Sequence, residues 1–140
     1  MPDLDPDARL ARFAAARVAR LATLRADGAP RLVPVTFVLV DGLVCSAVDE
    51  VKPKRTVRLA RLADVERDPR AGLVVDHYAD DWSQLWWVRV DGTAAVHHDG
   101  ELRDRALAAL VGKYRPYAAA PPRGAVLVVT PIRWTGWTAR

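Results

Sequence analysis

The stretch VARLATLRADGAPRLVPVTFVLVDGLVCSAV, residues 18–48, decides the fold. It contains three strand-like segments, at residues 18–24, 31–40 and 43–48, that are rich in apolar and β-branched side chains. Asp27-Gly28 and Asp41-Gly42 separate them, and Asp-Gly between such segments favours a tight β-hairpin turn. The stretch therefore predicts three consecutive antiparallel strands joined by short turns.

The middle strand carries two residues that are unusual inside a sheet. Pro34 has no N–H group to donate to a neighbouring strand, so it is normally confined to an edge strand or a bulge. Thr36 is a lone polar side chain in an apolar run. Two interpretations remain open: an edge strand whose threonine hydroxyl is satisfied locally, or a strand whose open backbone faces a flat ligand.

Helical and strand-like patterns follow one another through the rest of the chain. Asp5-Pro6-Asp7 is typical of a helix start with Asp5 as N-cap, and Gly112 is placed to end a later helix. Asp91-Gly92 predicts either a hairpin turn or a bend within one long strand. The predicted elements are helices at residues 6–16, within 51–69 and at 101–111, strands at 71–77, 86–96 and 125–137, and an irregular arm at 114–124.

This order predicts a mainly β (α+β) fold. About six antiparallel strands with three peripheral helices favour a small barrel, because closing a sheet removes its exposed edges. A chain of 140 residues suits a single domain, here residues 1–140, with a modest core.

Residues 51–69, VKPKRTVRLARLADVERDP, contain a helix-like pattern with reversed charges. The cations Lys52, Lys54, Arg55 and Arg58 come first, and three acids come last. A helix N-terminus carries partial positive charge and prefers acids, so this arrangement costs a little stability unless an anion binds there. Cations beside free backbone N–H groups predict an anion site; a solvated basic face is the alternative.

Composition narrows the classes of partner. The net charge of +4 and the pI near 9.7 invite a nucleic-acid interpretation, but most arginines alternate with acids in helical segments, so no nucleic-acid partner is expected. The longest apolar run is far shorter than the roughly twenty residues of a membrane span, so no membrane association is expected. The acidic first residues lack the basic start of a signal peptide, and a cytoplasmic location is expected.

Cysteine and histidine offer little metal chemistry. The single cysteine, Cys45, is predicted to be a small buried hydrophobe. His97 and His98 are adjacent, so in an extended chain their side chains point to opposite faces and cannot easily share one ion. No metal site is predicted. No catalytic triad, phosphate-binding glycine loop or acid/base pair is readable either, so the catalytic residues stay unknown.

Five tryptophans form two groups, one at Trp82, Trp86 and Trp87 and one at Trp134 and Trp137. Concentrated tryptophans mark a core or an interface. Since Trp86 and Trp87 are adjacent in a predicted strand, they face opposite sides of the sheet. The one outside the barrel is expected to be covered by a second subunit.

The order of these segments resembles a known family. ARLATLRADGAPRLVPVTF, KPKRTVRLARL, DPRAGLVVD and DWSQLWWVRVDGTA together resemble split-barrel flavin-binding proteins related to pyridoxamine 5'-phosphate oxidase. The closing RWTGW, with YRPY and PPRG before it, is similar to the actinobacterial branch that uses the deazaflavin coenzyme F420. The resemblance covers almost the whole chain. It implies a homodimer of six-stranded split barrels with two cofactor sites at the subunit interface.

The resemblance also implies roles for particular residues. It places the cofactor phosphate on Lys54 and Arg55, with Arg58 and Lys52 nearby, and favours one strand bent at Gly92. The remaining implied cofactor contacts are Arg31, Val33, Pro34, Val35 and Thr36 along the second strand, and Trp134 and Trp137 from the partner subunit. The chain departs from the family by lacking the Arg-x-His signature of pyridoxamine phosphate oxidases, and by carrying Ala63-Asp64 where relatives often have Asn.

The leading hypothesis is an F420-dependent reductase that transfers a hydride between the deazaflavin and an unsaturated small molecule. A polyanionic coenzyme tail suits more cations than one phosphate requires. FMN-dependent oxidoreductase activity is the alternative within the same fold. A non-catalytic flavin-binding or haem-binding protein is the alternative from another class.

Overall fold

The computed structural model describes residues 3–48 and 55–139. Its regular elements are four helices and seven strands, with a single 3-10 turn at Trp82–Gln84. The helices are α1 (Pro6–Ala15), α2 (Arg55–Arg67), α3 (Glu101–Lys113) and α4 (Arg115–Ala119). The strands are β1 (Ala19–Leu24), β2 (Pro30–Val35), β3 (Val38–Val40), β4 (Leu43–Ala47), β5 (Arg70–His77), β6 (Trp86–His97) and β7 (Val126–Thr138). Within these ranges, no helix combines the length and apolarity that crossing a membrane requires.

One antiparallel sheet contains all seven strands, in the order β2-β1-β5-β6-β7-β4-β3. Its two edge strands, β2 and β3, are consecutive in the chain and are linked only by Thr36 and Phe37. Three peptide steps from Val35 to Val38 reach at most roughly 11 Å, so the two edges meet at this link. The sheet is therefore curled into a barrel that is split between β2 and β3.

The predicted mainly β, α+β split barrel is confirmed, but the strand count of six is wrong. The predicted middle strand, residues 31–40, is two strands because Thr36 and Phe37 interrupt it. Its first half pairs with β1 and its second half pairs with β4. The three-strand meander is therefore opened at its centre, where the chain passes from one edge of the sheet to the other.

The main core fills the concave side of the sheet. Phe13 of α1 and Leu62 and Val65 of α2 are buried there against inward-facing strand residues, which include Leu21, Leu73, Val75, Val88 and Val90. Beyond the sheet, α3 covers β3, β4 and the first half of β7 through a second cluster, formed by Ala106, Val40, Cys45, Val126 and Val128. Cys45 is buried as predicted, and burial raises its pKa to about 11.

The helix boundaries agree with the capping signals in one case and not in another. Asp5 caps α1 as predicted, since its carboxylate accepts the Ala8 backbone N–H at 2.9 Å. The prediction that Gly112 ends α3 is wrong, because α3 continues to Lys113. Pro116 has no N–H to donate to the Gly112 carbonyl, so the helix ends shortly after that glycine. The arm predicted as irregular contains the short helix α4.

The Trp-rich segment is one long strand with a bend, and the hairpin alternative is wrong. β6 pairs with β7 from Trp86 to His97, with a register shift between Asp91 and Gly92. Opposite this shift, β7 contains the additional residue Ile132 between the partners of Asp91 and Gly92. A Cβ atom on Gly92 would lie 2.2 Å from the Thr130 carbonyl oxygen. Only glycine permits the two backbones to approach this closely.

The Gly92→Ala variant is expected to lower the free energy of unfolding by about 1–3 kcal/mol, because the backbone of β7 must move to admit the methyl group. Gly112→Ala is the matched control, since its added Cβ meets nothing within 4 Å and alanine favours a helix interior. Urea denaturation of both variants measures the difference. A Gly92→Ala variant as stable as the control would show that the close contact with Thr130 is not a constraint.

Candidate functional site

A buried carboxylate attaches α2 to the first two strands. Asp64 is 2% exposed. Its Oδ2 atom accepts hydrogen bonds from the Thr23 hydroxyl at 2.8 Å and from the Arg31 Nε at 2.6 Å. Its Oδ1 atom accepts a hydrogen bond from Arg67 at 2.9 Å, and the same Arg67 nitrogen also donates to the Leu24 carbonyl at 2.9 Å. Asp64 therefore links α2 to both β1 and β2, in addition to the packing of Leu62 and Val65 in the core.

The hydrogen bonds of this network keep the Asp64 carboxyl ionised. Burial would raise the pKa of Asp64, but the hydrogen bonds from Arg31, Thr23 and Arg67 outweigh it and lower the pKa. The hydrogen bond to Asp64 in turn raises the pKa of Arg31. Sequence analysis noticed Asp64 as one of the three acids at the end of residues 51–69 and as a departure from the family pattern, and in neither case as the centre of a buried network.

Arg31 forms an ion pair with Asp64 inside the protein. The sequence places it among the cofactor contacts, and the structure holds its guanidinium against Asp64. Val33 and Val35 face the same side of β2, with Val33 half-buried and Val35 buried. Pro34 is exposed on the other side, and β2 is an edge strand. Pro34 therefore lies on an edge strand, as the first interpretation expects, and the ligand-facing role of its open backbone stays a prediction.

The break between β2 and β3 is stabilised by the end of α3. The Phe37 N–H donates to the Tyr114 hydroxyl at 3.1 Å, and the Phe37 carbonyl accepts from Lys113 Nζ at 3.0 Å. The Thr36 hydroxyl lies 2.7 Å from the hydroxyl of Tyr117 in α4. These side chains provide the hydrogen bonds that a neighbouring strand provides elsewhere.

Lys113 is the most perturbed base of this cluster. Burial, followed by repulsion from Arg17, lowers its pKa to about 8. Its ammonium group lies 3.9 Å from the centroid of the Phe37 ring. Sequence analysis missed Lys113, Tyr114 and Tyr117 as site residues because their segment, at the start of the proline-rich arm, has no periodic pattern.

The predicted phosphate-binding cluster is only partly described. Lys52 and Lys54 lie outside the described residues. Arg55 is the first residue of α2, and Arg58 lies in its first turn, which contains no acid. The helix predicted within residues 51–69 is present, and it begins inside the run of cations.

The two C-terminal tryptophans face opposite sides of β7. The ring of Trp134 meets that of Phe13 edge-on, with centroids 4.9 Å apart, so it packs against the core. Trp137 pairs across the ladder with Trp87 on the other face of the sheet. The structure therefore does not bring Trp134 and Trp137 to one surface.

The convex face of the sheet carries an apolar groove. Leu32, Ala22, Gly72 and Asp91 follow one another across β2, β1, β5 and β6 as ladder partners, and therefore share a face. A groove of about 740 Å³ lies along Ala22, Gly72 and Asp91, and its lining also includes Ile132 and the cations Arg70 and Arg133. Leu32 is 72% exposed and Ile132 is 74% exposed. The buried residues of α1 and α2 pack on the opposite, concave face.

Metal chemistry has no candidate centre in residues 3–48 and 55–139, where no three histidine, cysteine or acidic side chains are grouped to hold an ion. His97 is half-buried at the end of β6, and His98 is exposed in the following turn.

Sequence comparison decides the family. The sequence model of the family described as pyridoxamine 5'-phosphate oxidase matches residues 6–138. The chain belongs to this family. Among curated proteins, none matches the sequence.

Solved structures of the pyridoxamine 5'-phosphate oxidase-like fold resemble the chain over nearly its full length. A conserved hypothetical protein, Rv2991, from Mycobacterium tuberculosis superposes with a TM-score of 0.79 at 20% identity, covering 99% of this chain and 88% of its own. An FAD-binding protein from Mycobacterium smegmatis superposes with a TM-score of 0.64 at 18% identity, covering 97% of this chain and 98% of its own. A heme-binding protein from Mycobacterium smegmatis superposes with a TM-score of 0.68 at 21% identity, covering 91% of this chain and 55% of its own. At these identities the likeness shows the shared fold.

The Asp64→Asn variant is expected to lose about 3 kcal/mol of stability at neutral pH, because Arg31 is left beside a neutral partner in a largely buried site. Asp104→Asn is the control: Asp104 pairs with Arg103 at the surface, where an ion pair contributes under about 1 kcal/mol. Thermal unfolding of the two variants measures both effects.

The pH dependence of stability is tested by comparing the wild type with Asp64→Asn. The folded-state pKa of Asp64 is lowered, so its contribution is complete above the unfolded-state value, about 3.9, and is lost as the pH falls through the folded value. The stability difference between wild type and Asp64→Asn should therefore shrink below about pH 4. A difference that grew on acidification would contradict the ionised network.

Proposed function

We propose that this protein is a cytoplasmic, single-domain oxidoreductase that binds the deazaflavin coenzyme F420 and transfers a hydride between it and an unsaturated small molecule. The observation that carries the proposal is the start of α2. This helix begins at Arg55, and its first turn holds Arg58 and no acid. Its first backbone N–H groups have no partner within the helix, so N–H groups and cations together suit a phosphate.

We expect two parts of the chain to hold the coenzyme. Lys54 and Arg55 would bind the phosphate, with Lys52 and Arg58 supporting them. The edge strand β2 and the residue after it would lie along the ribityl chain and the ring system, through Arg31, Val33, Pro34, Val35 and Thr36. Since Asp64 neutralises Arg31, we assign Arg31 to positioning β2 against α2, and the phosphate charge to the cations around the start of α2.

A reduced deazaflavin supplies the hydride when it is bound, and the protein binds it, orients it and excludes water. Because the coenzyme supplies the reactive group, the protein needs no acid/base pair of its own, and none is readable in the sequence. The hydroxyl groups of Thr36 and Tyr117, 2.7 Å apart, share a hydrogen bond just after the end of β2. They are polar groups beside the strand break that could donate to or accept from a bound coenzyme.

FMN is the second candidate cofactor. It is favoured by the family to which the chain belongs and by the FAD-binding protein of similar fold. F420 is preferred because four cations precede or begin α2, more than one phosphate requires, and a polyanionic tail would use the rest. A haem-binding or non-catalytic flavin-binding role is the alternative outside enzymology, supported by the heme-binding neighbour.

Replacing Lys54 and Arg55 together with alanine is expected to weaken binding of F420 at least a hundredfold while the far-UV circular dichroism stays unchanged. Each lost charge-assisted hydrogen bond to a phosphate removes about 1.5–3 kcal/mol. Replacing Arg25 and Arg123, two exposed arginines in loops, removes the same net charge and serves as control. Calorimetric titration with F420 and with FMN measures both pairs of variants.

Unchanged affinity in the Lys54/Arg55 variant would show that the phosphate binds elsewhere. Tight binding of FMN with no binding of F420 would contradict the choice of coenzyme but not the phosphate site.

The convex groove is the proposed homodimer surface, with the two cofactor sites at the interface. Leu32 and Ile132 are more exposed than is usual for large apolar side chains. Ile132 lines the groove with the small residues Ala22 and Gly72, and Leu32 is the ladder partner of Ala22 on the same face. Trp87 and Trp137 lie on this same face. Of the two C-terminal tryptophans, Trp137 is therefore the one placed to reach a second subunit.

Leu32→Lys and Ile132→Lys are each expected to convert the dimer into a monomer, because a charge would be buried in the interface and, at position 132, would also meet the like charges of Arg70 and Arg133. Trp82→Lys is the control, since Trp82 is 74% exposed on the 3-10 turn, outside the groove. Light scattering coupled to size exclusion gives the mass of each variant. A monomeric wild type, or a dimer that survives both groove substitutions, would contradict this interface.

A further inference from the structure

A second concave site lies between α1 and the ends of three strands, and we name it the α1 groove. It is a hollow of about 510 Å³ between α1, the start of β1, the end of β5 and the start of β6. A neighbouring hollow of about 560 Å³ shares three of its residues, Arg12, His77 and Trp86, and continues toward Ser83 and Gln84. The two hollows form one continuous groove around the Trp86 side chain.

Flat aromatic surfaces form one wall of the α1 groove. The rings of His77 and Trp86 are nearly parallel, at 22° with centroids 6.4 Å apart. The guanidinium carbon of Arg12 lies 5.3 Å from the centroid of the Trp86 ring, within the range of a cation–π contact. An arginine, an indole and an imidazole packed together offer planar groups with which an aromatic ligand can stack.

The charge of the α1 groove is positive. Its lining includes the guanidinium groups of Arg12, Arg17 and Arg20 and one carboxylate, that of Asp76. Asp76 lies 3.8 Å from Arg20, and both side chains are exposed, so three cations and one anion leave two positive charges. Arg17 donates to the Lys113 carbonyl at 2.7 Å. Among the described residues, Arg12 makes no hydrogen bond or ion pair, so its planar set of donors is open to a ligand.

We propose that the α1 groove binds a small planar aromatic carboxylate, with the carboxylate on Arg12 and the ring against His77 and Trp86. The arginine fork matches a carboxylate with two parallel hydrogen bonds. The aromatic wall selects a flat ring over an aliphatic acid, and Gln84 provides a neutral polar contact beside it.

The α1 groove is separate from the proposed phosphate site. Trp86 is the first residue of β6, whereas His97, at the other end of that strand, pairs with Val126. Val126 in turn pairs with Ala47, the last residue of β4, after which the chain leads into the basic segment. The full length of β6 therefore lies between Trp86 and the strand that leads into the phosphate-binding cations. At its β1 side the α1 groove borders the β2 part of the proposed cofactor site, because its lining residue Arg20 is the ladder partner of Pro34. Competition with the cofactors therefore tests whether the two sites overlap there.

The test is calorimetric titration of the purified protein with 2-naphthoate. Saturable binding is expected, with an affinity that falls as salt is added because the contact is partly exposed. Arg12→Gln is expected to weaken binding at least tenfold, and Trp86→Leu to weaken it similarly. Arg25→Gln, in the exposed β1–β2 turn, should leave binding unchanged. Circular dichroism checks the fold of each variant, and Arg12→Gln decides the result if Trp86→Leu does not fold.

Two further titrations define the ligand and the location. The neutral analogue 2-naphthamide should bind at least tenfold more weakly than 2-naphthoate, and saturating FMN or F420 should not displace 2-naphthoate. The proposal is overturned if 2-naphthoate does not bind, or if Arg25→Gln weakens binding as much as Arg12→Gln. Equal binding of the amide excludes a carboxylate site. Displacement by either cofactor would show that the α1 groove is part of the cofactor site, which leaves the proposed function standing.

Discussion

The two-residue link between β2 and β3 is the constraint on which the rest of the structure depends. Val35 and Val38 belong to opposite edges of one sheet, yet only two residues separate them in the chain. The sheet must therefore curl until its two edges meet. The backbone N–H and carbonyl of Phe37 then have no partner on a neighbouring strand. The Tyr114 hydroxyl and the Lys113 ammonium form hydrogen bonds with them instead. Closure of the barrel therefore requires α3 as well as the sheet, and it leaves β2 with an open edge.

Asp64 extends this constraint to the proposed cofactor site. Burial of the carboxylate is unfavourable by itself, but three hydrogen-bond donors from β1, β2 and α2 compensate for it. The same contacts hold the C-terminal part of α2 beside β1 and β2, since Asp64 lies near that end of the helix. The first turn of the helix, with Arg55 and Arg58, belongs to its opposite end. Arg31 contributes by holding these elements together, and not by adding free charge.

Sequence analysis predicted what depends on local chemistry. The N-cap at Asp5, the turns at Asp27-Gly28 and Asp41-Gly42, and the opposite faces of Trp86 and Trp87 all follow from neighbouring residues. The break at Thr36 and Phe37 did not follow, because Tyr114 and Lys113, far away in sequence, stabilise it. The network around Asp64 was missed for the same reason: Thr23 and Arg31 reach it from two other elements. The bend at Gly92 was open from the residues alone, since Asp-Gly suits a hairpin equally well.

The central claim is that the cations at the start of α2 and the open edge of β2 together hold F420. The most direct measurement is the absorbance spectrum of the ligand that co-purifies with the protein from an actinobacterial host that makes both F420 and FMN. A deazaflavin spectrum, with the ligand bound in proportion to the protein, is the predicted result. A spectrum of FMN alone, or the Soret band of haem, would contradict the claim.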